Sequence, residues 1–314
     1  MNLIDVYSQF QTEEQCFEYW EKVRWPNGPR CTTCGSDKFS VITRQTKSKN
    51  KRARIFSCLE PSCRQQFSAT SGTIFHDSHL PLSKWFTAIA LIVDAKKGIS
   101  AKQLQRHLRV SYGTAWHLAH RIRRAMEDTG NPLLAGTVEI DETYIGGKTI
   151  RRKDRGNRKY ESKDAVMGMI QRGGQLRMRY IGKGSATSAK VAPLVREHVS
   201  RGVERVITDE SIIYPIAFDG FCASKHETIA HKYEYVRGDV YTNTIESAFS
   251  LLKRGIMGSF HKISIKHLPR YLSEFEYRFN RRKTPGMFEE TLQRIATSKP
   301  LTYGELTADK TTQN

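Results

Sequence analysis

Two adjacent acidic residues lie inside a short segment that otherwise favours a β-strand. Residues 138–148 read Val-Glu-Ile-Asp-Glu-Thr-Tyr-Ile-Gly-Gly-Lys. The β-branched and aromatic residues favour a strand, and the glycine pair 146–147 ends it. Because successive strand side chains point to opposite faces, Asp141 shares a face with Glu139, and Glu142 lies on the other face. A carboxylate here is costly to bury alone, so the segment is either a salt-bridged edge strand or part of a charged site.

Two further acids follow downstream in segments of equally regular pattern. Residues 203–209 form a second short apolar run that ends in Asp209. Residues 243–255 have the spacing of a helix, which is predicted to end at Gly255. One stripe of this helix is apolar and comprises Ile245, Phe249 and Leu252. A second stripe is polar and comprises Asn243, Glu246, Ser250 and Lys253.

The acids Asp141, Asp209 and Glu246 could therefore converge on one point from two strands and a helix. Two like charges about 4 Å apart repel by about 4 kcal/mol at an effective dielectric constant of about 20, so such a cluster requires a cation to stay ionised. Carboxylate oxygens are hard ligands that suit Mg²⁺ or Mn²⁺. Two such ions can hold the attacking and leaving oxygens of a phosphodiester. The three acids therefore predict a two-metal site for phosphodiester chemistry.

The segments around these acids resemble motifs of insertion-sequence DDE transposases with an ISXO-like catalytic domain and an N-terminal zinc ribbon. The matching segments are residues 141–148, 208–210, 243–247, 252–255 and 271–282. The resemblance covers nearly the whole chain and implies an RNase H-like fold. It also implies a catalytic Asp-Asp-Glu triad with an associated lysine, which maps onto Asp141, Asp209, Glu246 and Lys253. The chain departs from the family pattern at Tyr241, where a histidine is usual, and at Phe249, where a tryptophan is usual.

Composition points to a polyanionic partner. The chain has 314 residues, which is enough for two or three domains, and a net charge of +19. This balance favours nucleic acid, here double-stranded DNA, over a merely basic soluble protein. Apolar runs fall short of the roughly 18 to 20 residues that a membrane span needs. The N-terminus lacks the basic and apolar regions of a signal peptide, so we expect a cytoplasmic, nucleoid-associated protein.

Four cysteines form two close pairs, Cys31 with Cys34 and Cys58 with Cys63. Such pairs, separated by a β-rich basic stretch, predict a four-cysteine zinc ribbon with one structural Zn²⁺. Disulfides are the alternative, which an intracellular location disfavours. The second pair has a wider gap than the usual two residues. Between the pairs we expect a basic hairpin whose side chains either contact DNA phosphates or form a solvated loop; the candidate contact residues are Lys51, Arg52 and Arg54.

Two short helices with a turn between them follow the ribbon. Residues 100–108 and 114–126 have helix-turn-helix spacing, with Gly113 near the turn. Candidate DNA contacts on the second helix are His117, Arg121 and Arg124. A plain three-helix bundle is the alternative. His117 and His120 lack a cysteine or acid in register, which argues against a metal site.

A basic loop follows the strand of Asp141 and adds further candidate DNA contacts, Lys148, Arg151 and Arg152. The helix of Glu246 contributes Asn243, Lys253 and Arg254 to the same set. The fifth strand of the catalytic domain is predicted within residues 233–240, and His226 and His231 either line the site or serve core or surface roles.

The predicted fold class is a multidomain α+β chain with a zinc ribbon, a helix-turn-helix domain and an RNase H-like α/β catalytic domain. The predicted boundaries are a helical lead-in at 1–28, the zinc ribbon at 29–75, the helix-turn-helix domain at 80–130, the catalytic domain at 136–285 and a C-terminal tail at 286–314.

The predicted function is that of a DNA transposase. It would bind terminal inverted repeats, cleave DNA and join the freed 3′-hydroxyl to target DNA, as a homo-oligomer on DNA. The alternatives are a metal-dependent nuclease without strand transfer and a non-enzymatic zinc-ribbon/helix-turn-helix regulator. The regulator leaves the three acids and the C-terminal half unexplained.

Overall fold

The computed structural model describes residues 1–42, 55–127, 130, 132–146, 163–230 and 237–308, and the backbone alone of residues 152–154 and 157–159. The helices are α1 (Leu3–Gln9), α2 (Glu13–Arg24), α3 (Leu82–Asp94), α4 (Ala101–Leu108), α5 (Tyr112–Ala125), α6 (Ser188–His198), α7 (Ile213–Phe218), α8 (Asn243–Gly255), α9 (Leu268–Arg281), α10 (Met287–Thr297) and α11 (Tyr303–Thr307). The strands are β1 (Phe39–Ile42), β2 (Ile55–Cys58), β3 (Gln66–Phe67), β4 (Thr137–Ile145), β5 (Arg152–Asp154), β6 (Asn157–Lys159), β7 (Asp164–Gln171), β8 (Leu176–Lys183), β9 (Arg205–Asp209) and β10 (His226–Ile229).

The chain divides into two units, Met1–Glu127 with Thr284–Asn314, and Asp128–Lys283. The second unit overlaps the predicted catalytic domain at 136–285. The segment predicted as a C-terminal tail, 286–314, lies in the first unit. Its helix α10 buries Phe288, whose ring lies 5.7 Å from that of Phe86 in α3.

Helix α2 of the first unit begins with a capping box at Thr12. The Thr12 hydroxyl accepts a hydrogen bond from the backbone of Gln15, and the Gln15 side chain accepts one from the backbone of Thr12. Cys16 and Trp20 of α2 are fully buried. Trp20 Nε1 donates to the carbonyl of Ala69 (2.7 Å), which attaches the three-stranded antiparallel sheet β1-β2-β3 and its following segment to this helix.

Helices α4 and α5 form the predicted pair, joined by residues 109–111. The turn depends on Arg109, which adopts a left-handed conformation (φ 52°), and Gly113 instead lies inside α5. The Ser111 hydroxyl accepts from the backbone of Thr114 (3.1 Å) and so caps α5. Ile122 of α5 is buried. The pair has helix-turn-helix spacing, although its predicted role as a DNA-binding domain is not confirmed.

The second unit is a five-stranded mixed sheet in the order β10-β9-β4-β7-β8. Strands β4, β7 and β8 pair antiparallel, whereas β9 and β10 run parallel to β4. The second unit is thus an α/β domain, as predicted, and its RNase H-like classification stays a prediction. One face packs against α6 and α7 and the other against α8 and α9. Because both faces are covered, β7 is buried along nearly its whole length.

The fifth strand lies earlier in the chain than predicted. It is β10, paired in parallel with β9. Residues 231–236 lie outside the described residues, and Arg237 and Val240 form an isolated bridge around a turn rather than a strand.

None of the helices in the described part of the chain is long and apolar enough to span a membrane.

Candidate active site and metal centres

Strands β4 and β9 place Asp141 and Asp209 side by side. Their parallel register pairs Glu139 with Ile207, and each aspartate lies two residues further along its own strand. Residues in register on neighbouring parallel strands point to the same face and lie about 4.8 Å apart. The two carboxylates therefore leave the sheet at the end of β9, on the face that carries α8.

Helix α8 brings the third acid to this point. Its predicted apolar stripe is confirmed, since Ile245, Phe249 and Leu252 are all buried. Its predicted polar stripe is also confirmed, because Asn243, Glu246, Ser250 and Lys253 are all exposed. The α-helix ends at Gly255, as expected, and continues as a π-helical turn, Ile256–Phe260.

Burial and the charges of nearby acids shift the pKa of Asp141. Burial and, to a smaller extent, the negative charges of Glu142, Asp209 and Glu246 together raise the pKa of Asp141 to about 7, against the opposing effect of a hydrogen bond from the backbone N–H of Glu142. That N–H donates to Asp141 Oδ1 at 2.7 Å. A partly buried group of hard oxygen donors with this mutual repulsion fits a divalent cation. Among the residues that the structure describes, the ligand atoms that lie close enough together to hold a metal ion are those of four cysteines, and the three acids do not form such a group.

Glu139 is a residue of this site to which the sequence analysis assigned no role. It is fully buried, and its carboxylate accepts hydrogen bonds from the first turn of α8, at the backbone N–H groups of Thr244 (2.9 Å) and Ile245 (3.0 Å). Arg172 forms an ion pair with it at 2.7 Å. The sequence feature that could have identified Glu139 is its position as an acid on a β-forming segment, two residues before Asp141 and on the same face.

Glu142 faces the opposite side of β4, as the alternation predicts. Its carboxylate accepts a hydrogen bond from the hydroxyl of Tyr214, a buried residue of α7. Burial raises the pKa of Glu142, and the charge of Asp209 adds to that effect, whereas the Tyr214 hydrogen bond lowers it. Glu142 is therefore a further carboxylate close to Asp141, Asp209 and Glu246, and its hydrogen-bond partner is Tyr214.

The four cysteines form a second candidate metal centre, in the first unit. Their sulfur atoms all lie within 4.8 Å of one another. Cys31 and Cys63 are 3.7 Å apart, and Cys34 and Cys58 are 3.6 Å apart. Tetrahedral ligands about 2.3 Å from Zn²⁺ are separated by about 3.8 Å, so the spacing fits one zinc ion. Gly35 adopts a left-handed conformation (φ 77°) that lets the first cysteine pair turn back on itself.

Some α5 side chains that were predicted to contact DNA instead form contacts within the protein. Arg121 is buried, lies 5.3 Å from the ring centroid of Trp85 and donates to the carbonyl of His76. Burial lowers its pKa to about 10. This placement argues against the predicted phosphate contact, because the guanidinium already has a packing and hydrogen-bonding role in the core of the first unit.

His117 and Arg124 also have protein partners. His117 Nε2 lies 3.1 Å from the carbonyl oxygen of Leu301, and burial lowers its pKa. Arg124 pairs with Glu127 at 3.2 Å but keeps about a third of its side chain exposed, at 38%.

The exposed cations of the candidate site are on α8. Lys253 and Arg254 are both exposed, in the last turn of the helix, and Asn243 is exposed at its start. The other candidates, Lys51, Arg52, Arg54, Lys148 and Arg151, lie outside the described residues, and only the backbone of Arg152 is described.

His226 takes a structural position next to the cluster. Its Nε2 lies 2.8 Å from the hydroxyl of Thr208, and its ring packs edge-on against Phe218. Burial lowers its pKa. His231 lies outside the described residues.

Comparison with known proteins decides the family. The ISXO2-like transposase domain matches residues 133–280, and the transposase zinc-ribbon domain matches residues 11–66. The uncharacterized protein in transposable element ISH50 of Halobacterium salinarum is 30% identical over 300 residues, which cover 91% of this chain and 96% of that protein. The chain belongs to the ISXO2-like transposase family. Its three candidate acids lie in the matched transposase domain, and its four paired cysteines lie in the matched zinc ribbon.

Solved structures resemble the transposase more distantly. A chain of the simian T-cell lymphotropic virus intasome in complex with PP2A regulatory subunit B56 gamma covers 68% of this chain and 72% of its own length, at 13% identity and a TM-score of 0.34. A chain of the Mos1 strand transfer complex covers 67% of this chain and 74% of its own, at 11% identity and a TM-score of 0.29.

Proposed function

We propose that this transposase binds the terminal inverted repeats of its insertion sequence, cleaves the DNA at the element's ends and joins the freed 3′-hydroxyl to target DNA. The observation that carries the proposal is the convergence on Asp141 of charge from Asp209 and Glu246, which come from separate elements of the second unit. Membership of the transposase family supports the same assignment.

Each acid has a distinct structural support for the proposed role. Asp141 and Asp209 project from adjacent strands, so their spacing is set by the sheet. The backbone N–H of Ser211 donates to Asp209 Oδ1 (3.1 Å), and the Thr242 hydroxyl donates to Glu246 Oε1 (3.0 Å). These hydrogen bonds orient the carboxylates and leave other oxygen lone pairs for metal ligation.

The three acids would hold two Mg²⁺ or Mn²⁺ ions. Ions held there would supply activation of the attacking hydroxyl or water and stabilisation of the charge on the phosphate. Lys253 follows Glu246 by two helical turns on the same exposed stripe, where its ammonium group would contact a phosphate beside the scissile bond. Asn243 and Arg254 would contact the neighbouring DNA backbone from the two ends of α8.

The zinc ribbon would supply DNA binding rather than chemistry. Four cysteine ligands leave no open position on the ion, so its role is to hold the fold of the ribbon. The basic residues 47–54, which include Lys51, Arg52 and Arg54, would then contact DNA phosphates. Because transposition joins two ends of one element, the active assembly on DNA would contain more than one copy of the chain.

The test is strand transfer of a labelled repeat end by purified variants in Mg²⁺. Asp141→Asn, Asp209→Asn and Glu246→Gln are nearly isosteric and each removes one negative ligand. Folding and repeat binding should therefore survive, and cleavage and joining should fall to background. Lys253→Ala should reduce activity less completely. Joining at the parent's rate by the Asp141 or Glu246 variant would exclude this active site.

The same assay separates the competing functions. A nuclease without strand transfer would give cleaved ends and no joined product, with the same dependence on the three acids. A DNA-binding regulator would bind the repeats and give neither product, whatever the metal concentration.

A further inference from the structure

Glu139, on the strand of Asp141, binds the first turn of the helix that carries Glu246. We infer that Glu139 is a positioning residue, which sets the placement of Glu246 relative to Asp141 by anchoring the first turn of α8 to β4. This inference rests on the proposed function, because it concerns the geometry of the same acids.

Both carboxylate oxygens of Glu139 are used in this contact. Oε2 accepts from the backbone N–H groups of Thr244 (2.9 Å) and Ile245 (3.0 Å). Oε1 accepts from the Thr244 hydroxyl (2.8 Å) and from Arg172 Nε (2.7 Å). A buried carboxylate with this many donors is held in one position.

The contact replaces an ordinary helix cap. The first N–H groups of a helix have no partner within the helix and carry a partial positive charge. In α8, the Thr242 hydroxyl at the N-cap position donates to Glu246 Oε1 (3.0 Å). The first-turn amides are instead capped by Glu139, which belongs to the sheet and is distant in sequence. The N-terminus of α8 is thereby attached to β4 itself.

This attachment lies next to both proposed catalytic acids. Glu139 precedes Asp141 by two residues on the same face of β4, and the amides that it binds belong to the two residues immediately before Glu246. The position of the Glu246 carboxylate relative to that of Asp141 therefore depends on one strand segment, from Glu139 to Asp141, and on the first turn of α8, which Glu139 caps. A change at Glu139 should move Glu246 without touching any metal ligand.

Arg172 extends the anchor to the segment that enters α8. Besides Glu139, its guanidinium donates to the carbonyls of Asp239 (2.7 Å) and Tyr241 (2.8 Å), and its Cζ lies 3.7 Å from the centroid of the Tyr241 ring. The positive charge of Arg172 balances the buried carboxylate. The chain before α8 and the first turn of α8 are thus held by one ion pair.

The decisive variant is Glu139→Gln, compared with Glu276→Gln as a matched control. An amide cannot accept from all four donors, so the hold on α8 should loosen. Glu276 is an equally buried carboxylate of the same unit that accepts from the backbone of Met178 (2.9 Å) and pairs with Arg179 (2.9 Å), but it lies on α9. Both variants lose one buried charge, and only the first alters the contact with α8.

Two measurements distinguish positioning from a general loss of stability. In metal-free protein, amide hydrogen exchange at Thr244 and Ile245 should accelerate in Glu139→Gln and not in Glu276→Gln. In the cleavage assay, Glu139→Gln should lower kcat roughly 10- to 100-fold, as expected for a residue that supports metal ligands. The Mn²⁺ concentration for half-maximal activity should rise, and the KM for repeat DNA should stay unchanged. Thr244→Val, which removes one donor only, should show the same changes to a smaller degree, and it serves as the test variant if Glu139→Gln does not fold.

The inference would be overturned if amide exchange at Thr244 and Ile245 is unchanged in Glu139→Gln. It would also be overturned if Glu139→Gln and Glu276→Gln have the same melting temperature, the same loss of activity and the same metal dependence. Asp141→Asn and Glu246→Gln are assayed in parallel. If these two retain activity, the proposed active site is wrong, whereas the exchange measurement still reports whether Glu139 anchors α8.

Discussion

Gly168 lies directly opposite Asp141 in the antiparallel pair of β4 and β7. A Cβ atom placed on Gly168 would lie 2.7 Å from Ile245 Cδ1 and 2.7 Å from the ring of Phe249, closer than real Cβ contacts. The missing side chain therefore lets α8 pack closely on the sheet at the level of Asp141. Phe249, at the position where the family usually has tryptophan, fills this space and is buried.

We expect Gly168→Ala to displace α8 from the sheet. Overpacking of a filled core costs about 1–3 kcal/mol, and a misplacement of about 1 Å in an active site can cost about 100-fold in rate. Thermal unfolding and repeat-end cleavage measure the two effects. Gly202→Ala, whose added Cβ would make only an ordinary contact with Ser200 (3.4 Å), is the control. Combining Gly168→Ala with Phe249→Leu should restore part of the activity; no restoration would contradict the steric explanation.

The cysteine cluster predicts a structural zinc ion. Purified protein should contain about one zinc per chain, and Cys58→Ser should lose the metal and unfold the ribbon while the second unit stays folded. Zinc release measured with a colorimetric chelator, with circular dichroism, checks both outcomes. Cys16→Ala is the matched control because Cys16 is a buried cysteine outside the cluster. Protein that is zinc-free yet folded and able to bind DNA would rule out the ribbon assignment.

Arg121 and Lys253 should respond differently to alanine substitution. Arg121→Ala removes a buried guanidinium that packs on Trp85, so it should lower the melting temperature of the first unit. Lys253→Ala and Arg254→Ala remove exposed charges. If each contacts one phosphate, each should lower the slope of log affinity against log salt by about 1.

Titrations of repeat DNA at several salt concentrations give these slopes. With about 6 to 10 phosphate contacts, the parent should lose roughly 10³- to 10⁵-fold in affinity between about 50 and 200 mM salt. A nearly flat salt dependence of the parent would be inconsistent with a basic DNA-binding surface. If a stably folded Arg121→Ala variant shows a reduced slope, Arg121 contacts a phosphate despite its burial.

Glu142 should be less important for catalysis than Asp141. A glutamine at position 142 can still accept the hydrogen bond of Tyr214, and a charged hydrogen bond exceeds a neutral one by about 1 kcal/mol. Glu142→Gln should therefore lose less than about tenfold in cleavage rate, since about 1.4 kcal/mol corresponds to tenfold. Tyr214→Phe should mainly lower stability. If Glu142→Gln is as inactive as Asp141→Asn, Glu142 belongs to the metal-ligand set.

Much of the local structure was predictable because local patterns determine it. Alternation along β4 separates the faces of Asp141 and Glu142, and the spacing of apolar residues in α8 identifies its buried stripe. The Thr12 cap follows from hydrogen bonds between residues three positions apart. The fifth strand was misplaced because β10 has four residues, of which Ile229 alone is apolar, so it lacks the apolar periodicity that identifies a strand.

The sequence by itself determined the zinc-ribbon cysteines, the three acids as candidates and the apolar and polar stripes of α8, because residue type and spacing decide ligand chemistry and periodicity. Only the tertiary structure decided that Glu139 caps α8, that Gly168 admits α8 to the sheet, that Arg121 is buried and that α10 belongs to the first unit. Each of these depends on contacts between residues far apart in the chain. No local pattern states which distant backbone group a carboxylate accepts from, or which side chain fills the space above a glycine.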